Sequence, residues 1–333
     1  MTSKQFHHTR LSVLDLAPIK EGSDASLSFR ESVELAQHVE KWGFHRYWLA
    51  EHHNMPGIAS SATSVVIGHI AGATNHIRVG SGGVMLPNHA PIVIAEQFGT
   101  LESMYPGRID LGLGRAPGSD QATAYALRRT LHSSPEDFPL QVDELEDYFK
   151  GTARVRAFPG EGLSIPIWLL GSSGFSARLA AEKGLPFAFA SHFSPDYTMS
   201  ALKIYRDNFQ PSEMLQEPYA MVGVNIIAAE TEERAKWLAT SQQQQFLSLT
   251  RGQPTALKPP VESIEEVFTV PEQAAISERL NSEATMIGEP EMVKQKLQQF
   301  IENTQANEVI INTQVFHQED RLRSYEYVAD MME

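Results

Sequence analysis

In HRYWLAEHHN, residues 45–54, an apolar run through Trp48, Leu49 and Ala50 gives way to one carboxylate and two adjacent imidazoles. Pro56 and Gly57 follow, so the chain turns there. A continuous apolar run of this length reads as a strand buried on both faces, the habit of parallel sheets flanked by helices. Glu51, His52 and His53 then mark its C-terminal end, where they could bind a metal, move a proton or hold structure.

Similar runs recur on both sides of this one. LSVLDLA (11–17) precedes it; IRVGSGG (77–83), RIDLGLG (108–114), IPIWLLG (165–171), PFAFAS (186–191), YAMVGVNIIA (219–228) and EVIINT (308–313) follow. Helical patterns lie between them. Ser28 and Glu31 have capping-box spacing, Phe29, Val33, Ala36 and Val39 recur at three- and four-residue steps, and Gly43 is placed to end that helix. Further helices are expected over 61–73, after Pro91, near 119–129 and 136–150, over 175–183 before Gly184, over 231–249, around Val293, Leu297 and Phe300, and around Leu322, Tyr325, Val328 and Met332. Residues 250–287, with Pro254, Pro259, Pro260 and Pro271, read as irregular. Eight strands alternating with helices in 333 residues predict an α/β chain folded as a parallel (β/α)8 TIM barrel, with insertions after strands 4 and 7. The rival is a doubly wound open sheet. With no internal repeat and no composition shift, a single domain over 1–333 is expected.

Composition narrows the functions. The net charge is −14, from 27 basic and 41 acidic residues, which argues against a nucleic-acid partner because phosphate contacts need clustered Lys and Arg. There is no cysteine, so disulfides, thiolate metal sites and cysteine nucleophiles are excluded. MTSKQFHHTR lacks the apolar core of a signal peptide and no stretch is long enough to span a bilayer, so a cytoplasmic protein with no membrane partner is expected.

In such a barrel the chemistry gathers where strands end and βα loops begin. Gly171, Ser172, Ser173, Gly174 and Ser176 leave a strand and open a helix, whose free N–H groups and positive dipole end suit a phosphate. Serines also cap helices with no ligand involved. Arg115, where the fourth strand empties into a glycine loop, can neutralise an anion or simply form a surface ion pair. Ser81, Gly82 and Gly83 let the backbone approach a flat ligand, or make a bare turn. Asn88 and His89 read as caps for the Pro91 helix. Adjacent histidines on a strand end point opposite ways, so no metal is expected there. A histidine titrating near neutrality, with Glu51 to orient it, suits proton transfer better.

WGFHRYWLAEHHN, IRVGSGGVMLPNHAP, ESMYPGRIDLGLGR and LLGSSGFSARLAAEKGLPFAFASHF together resemble the bacterial luciferase-like family of flavin-dependent monooxygenases, and its single-chain members rather than the light-emitting subunits. The likeness runs through the order of elements from residue 11 to about 311. It implies a barrel that takes reduced FMN from a separate NAD(P)H:flavin reductase, uses O2 to oxidise a small-molecule substrate, and forms a homodimer. It places the catalytic role on His52, with Glu51 beside it. It places the flavin phosphate on Arg115, Ser172, Ser173 and Ser176, and the flavin ring against Gly82 and Gly83, where the family's non-proline cis peptide would fall. Residues 250–287 stand where the family has a mobile lid. Three departures stand out: Ser172 replaces an acidic residue, Gly114 replaces a larger reactive one, and MTSKQFHH has no counterpart. A deazaflavin-dependent oxidoreductase of the same fold and a non-catalytic flavin-binding protein are the alternatives.

Overall fold

The structure, a computed structural model, describes residues 4–116, 121–128 and 135–333. In chain order the first half comprises β1 (Gln5–Phe6), β2 (Thr9–Asp15), α1 (Ala25–Trp42), β3 (Arg46–Leu49), α2 (Thr63–Ala73), β4 (Arg78–Ser81), β5 (Val84–Met85), α3 (Pro91–Met104), β6 (Ile109–Gly114), α4 (Gln121–Arg128) and α5 (Phe138–Lys150). The second half comprises β7 (Ile167–Gly171), α6 (Gly174–Lys183), β8 (Phe187–Phe189), α7 (Thr198–Asp207), β9 (Ala220–Ala228), α8 (Glu232–Thr250), α9 (Val270–Leu280), β10 (Thr285–Gly288), α10 (Pro290–Thr304), β11 (Glu308–Asn312) and α11 (Gln318–Ala329).

Eight strands pair in parallel around a closed ring, β2-β3-β4-β6-β7-β8-β9-β11, and β11 returns to β2 with Val309 opposite Leu11. They are the eight expected strands, and the β11–β2 closure removes the open-sheet alternative. Alternation along each strand divides the apolar residues. Val13, Tyr47, Val79 and Val309 face the helix layer, whereas Leu14, Trp48, Trp168, Met221 and Ile310 fill the barrel. Trp48 and Trp168 meet edge to face at 5.2 Å.

Beneath the two tryptophans lies a buried charged layer. Arg46 bonds Asp110 at 2.6 Å and Glu308 at 3.0 Å, and Tyr219 Oη donates to Glu308 at 2.9 Å. Each buried charge has a partner, as burial requires. The N-terminal residues form a hairpin, β1 antiparallel to β2, and Gln5 exchanges backbone hydrogen bonds with Glu333. The barrel is therefore solid through its middle and tied at its base, which leaves its C-terminal mouth for a ligand.

Three local expectations change. α1 starts a turn earlier than Ser28: Asp24 is the N-cap and accepts from Leu27 N at 2.9 Å, while Ser28 is buried inside the helix. Gly43 ends it at φ 91°, as expected. Residues 250–287 are more ordered than their prolines suggested. Pro271 occupies the first turn of α9, where its missing N–H costs nothing, and β10 adds to the projecting end of β9 with Thr285 opposite Asn225. The ends of the helix expected over 119–129 fall outside the described residues. The insertions do follow the fourth and seventh barrel strands. Among the described residues no helix is long and apolar enough to cross a membrane.

Candidate active site at the barrel mouth

A cavity of about 450 Å³ opens at the C-terminal ends of the barrel strands, within the size range of small-molecule sites. Its floor is apolar, with Leu14, Trp48 and Leu170, and the segment after α8 covers it with Leu257 and Ile276. Leu257 is held there by backbone bonds to Ile19 and Glu21 in the β2–α1 loop. Among the described lining residues there is no Asp, Glu or Lys, and Arg115 carries the sole formal positive charge.

Arg115, Gly171, Ser172, Ser173 and Ser176 all line this one cavity. Ser173 is the N-cap of α6 in an extended conformation, with no side-chain capping bond, so the first-turn N–H groups are left for another acceptor. A Cβ on Gly171 would lie 2.6 Å from Ser176 Cβ, so glycine is what lets the helix start fold against the strand end. The Arg115 guanidinium sits 4.1 Å from the centroid of the Phe175 ring, in the first turn of α6. That stack joins the end of β6 to the start of α6 and brings cation, hydroxyls and helix terminus to one anion seat.

The Gly82-Gly83 peptide is cis, and both residues line the cavity. The need for glycine comes from the protein side. A Cβ on Gly82 would lie 2.7 Å from Leu14 Cδ1, and one on Gly83 would lie 2.8 Å from the Gly112 carbonyl oxygen. The bare peptide is thus the surface offered to a ligand. Ser81, expected beside them, is not at the cavity: it is fully buried, donates through Oγ to Gly112 O at 2.8 Å and accepts from Gly112 N at 3.0 Å. Its side chain stitches β4 to β6.

The adjacent histidines do point apart. His52 lines the cavity, and its enclosed Nδ1 has no protein partner. Burial lowers its pKa, outweighing the opposing pull of Glu51, so the imidazole is neutral at neutral pH. Glu51 does not orient it. Glu51 Oε1 lies 3.1 Å from His53 Nε2 and 2.8 Å from His89 Nε2, and accepts from Met85 N at 3.3 Å. Burial would raise its pKa, but the bonds from His53 and His89 hold it below the usual range. His89 therefore anchors a carboxylate and does not cap α3, which begins at Pro91 behind Ala90 with no side-chain cap. Glu51, His53 and His89 bring three donor atoms within 4.8 Å, a spacing one ion could bridge and which sequence adjacency did not show. Each Nε2 at hydrogen-bonding distance of a carboxylate oxygen completes the cluster without one.

Sequence reasoning missed the glutamines. Gln242, Gln243 and Gln245 of α8 line the cavity, as do Asn312 at the end of β11 and Asn225, opposite it within β9. The signal was the run QQQQ, residues 242–245, in the middle of an otherwise ordinary helix.

The model of the family described as luciferase-like monooxygenase matches residues 9–308. The chain belongs to the luciferase-like monooxygenase family. The E. coli K12 protein named luciferase-like monooxygenase is 53% identical over 97% of this chain and 96% of its own length. YvbT of Bacillus subtilis is 60% identical over 99% of both chains. The crystal structure of apo-MsnO8 superposes with a TM-score of 0.90 at 33% identity, covering 97% of this chain and 98% of that one. Two more distant structures share the fold: the oxygenating constituent of 3,6-diketocamphane monooxygenase from Pseudomonas putida with FMN (TM-score 0.74, 16% identity) and an F420-dependent secondary alcohol dehydrogenase with an F420-acetone adduct (TM-score 0.71, 14% identity). The residues at this luciferase-like mouth fit a flavin nucleotide: an anion seat, a bare cis peptide and an unpartnered imidazole nitrogen share one apolar cavity.

Proposed function

We propose that the protein is a two-component monooxygenase that takes reduced FMN from a separate NAD(P)H:flavin reductase and uses O2 to oxidise a small organic substrate. The observation that carries this reading is the convergence of Arg115, the uncapped start of α6 and its serines on the cavity that also holds His52. Reduced FMN, when bound, supplies the electrons that activate oxygen. Arg115, Ser172, Ser173 and Ser176 hold the phosphate, by charge and by hydroxyl and backbone donors. Gly82 and Gly83 support the ring. The apolar floor and the segment carrying Leu257 and Ile276 keep water out, which preserves oxygen-activating chemistry. His52, neutral, lines the cavity and would accept or return one proton at its ring nitrogen during turnover. Glu51 holds His53 and His89 behind it and acts as a positioning residue.

The same reading takes the assembly to be a homodimer, in keeping with the exposed Val65 on α2 and Met104 on α3. An anaerobic titration with reduced FMN and with a reduced deazaflavin tests the cofactor. Saturable binding of FMN in preference to the deazaflavin is expected. Preference for the deazaflavin, or no binding of FMN, contradicts the proposal. With flavin bound, a reductase and NADH should consume oxygen at a rate that rises with substrate. Binding without such turnover would make this a flavin-binding protein only.

A further inference from the structure

The wall of the mouth that faces the cis peptide carries carboxamides. Gly82 follows β4, and Asn225 stands on β9. The ring runs β4-β6-β7-β8-β9 one way and β4-β3-β2-β11-β9 the other, so the two strands lie opposite each other across the barrel. Met221, four residues before Asn225 and on the same face of β9, fills the barrel, and Asn225 lines the cavity above it. The helix that follows β9, α8, brings Gln242 and Gln243 to the same cavity.

In all three the nitrogen is the end offered to a ligand. The carboxamide oxygens of Gln242 and Gln243 are enclosed by protein, which leaves each Nε2 as the accessible end, and neither Nε2 has a partner among the described residues. Gln243 is only 8% exposed, so its nitrogen meets the cavity and not bulk water. Their neighbours differ: Gln244 Nε2 donates to Pro259 O at 2.8 Å and Gln245 Nε2 to Thr255 O at 3.3 Å. Asn225 Oδ1 accepts from Asn312 Nδ2 at 3.0 Å, which leaves Asn225 Nδ2 for the cavity. The reverse orientation of either glutamine would enclose an NH2 group without an acceptor, a rarer event than a carbonyl enclosed without a donor. The wall thus presents carboxamide N–H groups, with no carboxylate among the described lining residues to accept from them.

We propose that this wall is a substrate subsite for an uncharged, mostly apolar molecule whose polar group only accepts hydrogen bonds, such as a fully substituted amide or an ester, held by the nitrogens of Gln242, Gln243 and Asn225. Its body would lie along Phe246 and Leu249, which line the cavity beyond Gln242 at helical spacings of four and seven. A carboxylate head would leave water without a countercharge, because Arg115 stands three strands away on β6 and is given to the flavin phosphate. An ammonium head would bring donors to donors. That the molecule is the substrate rests on the proposed function above; the acceptor requirement rests on the direction of the carboxamides alone.

Calorimetry with three probes tests it: N,N-dimethylhexanamide, hexanoate and hexylammonium, each titrated into flavin-free and FMN-saturated protein. The amide, which has an acceptor oxygen and no N–H, is expected to bind at least about ten-fold tighter than either charged probe. Gln243→Met should weaken the amide by about ten-fold while FMN affinity stays within about two-fold. Gln242→Glu, at a less buried position, replaces the donor by a carboxylate of the same shape. It should weaken the amide and strengthen hexylammonium, each by about ten-fold. No binding of the amide, preference of the wild type for either charged probe, or an amide affinity that both substitutions leave within two-fold overturns the proposal. So does a loss of FMN affinity in the glutamine variants, which would assign the carboxamides to the flavin. Failure of FMN to bind the wild type overturns the flavin reading instead, and the probe comparison on flavin-free protein still decides this one.

Discussion

Glu51 and His89 are 38 residues apart in the chain and 2.8 Å apart through Oε1 and Nε2. That bond ties the end of β3 to the turn after β5, on either side of the cis peptide. Removing the carboxylate leaves two imidazoles and the Met85 N–H without their acceptor in a largely buried place. Glu51→Ala is therefore expected to destabilise the fold by about 2 kcal/mol, the cost of orphaned polar groups. Glu51→Gln, which keeps the shape and one acceptor oxygen, should lose less. Urea unfolding of both variants checks the order; equal stability of all three proteins would show that the cluster is not a lock.

Asp15, at the top of β2, is fully buried against Arg321 of α11 at 2.7 Å. Burial alone would push its carboxyl up, but the Arg321 guanidinium and the hydroxyls of Ser32 and Tyr47 hold it below the usual range. Arg321→Met leaves that carboxylate uncompensated and should cost about 3 kcal/mol at pH 7. In the wild type a depressed carboxyl contributes stability above its unfolded pKa, near 4, and loses it as pH falls through the folded value. In the variant the carboxyl is pushed up, so the deficit relative to wild type should shrink as pH falls toward about 4. Urea midpoints at pH 7 and at mildly acidic pH check this. A deficit independent of pH would mean that lost packing, not charge, dominates.

The eight barrel strands were legible because burial on both faces leaves continuous apolar runs, and the anion seat because glycine and serine at a strand-to-helix turn carry their own chemistry. The resemblance located the cis peptide at Gly82-Gly83, where the structure has it. What could not be read were relations across the sequence. Glu51 looked like a partner for His52, its neighbour, but its partners are His53 and His89. Ser81 looked like a ligand, but the strand pairing turns its hydroxyl onto Gly112. Pro271 looked like a breaker until it proved to open α9. The run QQQQ of α8 was visible in the sequence but not readable as a cavity wall, because a polar run in a helix looks the same whether it faces water or a cavity.

His52 is held neutral by burial, so its protonation should begin below the ordinary value near 6.5. With a neutral imidazole needed as proton acceptor, activity should fall as pH drops through that lowered pKa and stay level above it. The acid limb of kcat/KM is expected below about pH 6.5 in the wild type and absent in His52→Gln. That variant should also lose about 100-fold or more in product formation while still binding FMN. An unchanged acid limb would place the titrating group elsewhere.

The central claim is that the barrel mouth seats a flavin by its phosphate. Parallel titrations of wild type and Arg115→Met with FMN and with riboflavin, which lacks only the phosphate, test it most directly. Charge-assisted bonds to Arg115 and the start of α6 should make FMN at least about 10-fold tighter than riboflavin in the wild type. Most of that preference should vanish in Arg115→Met, with riboflavin affinity unchanged. Equal affinity of the wild type for FMN and riboflavin, or an FMN preference that survives the substitution intact, would contradict the account.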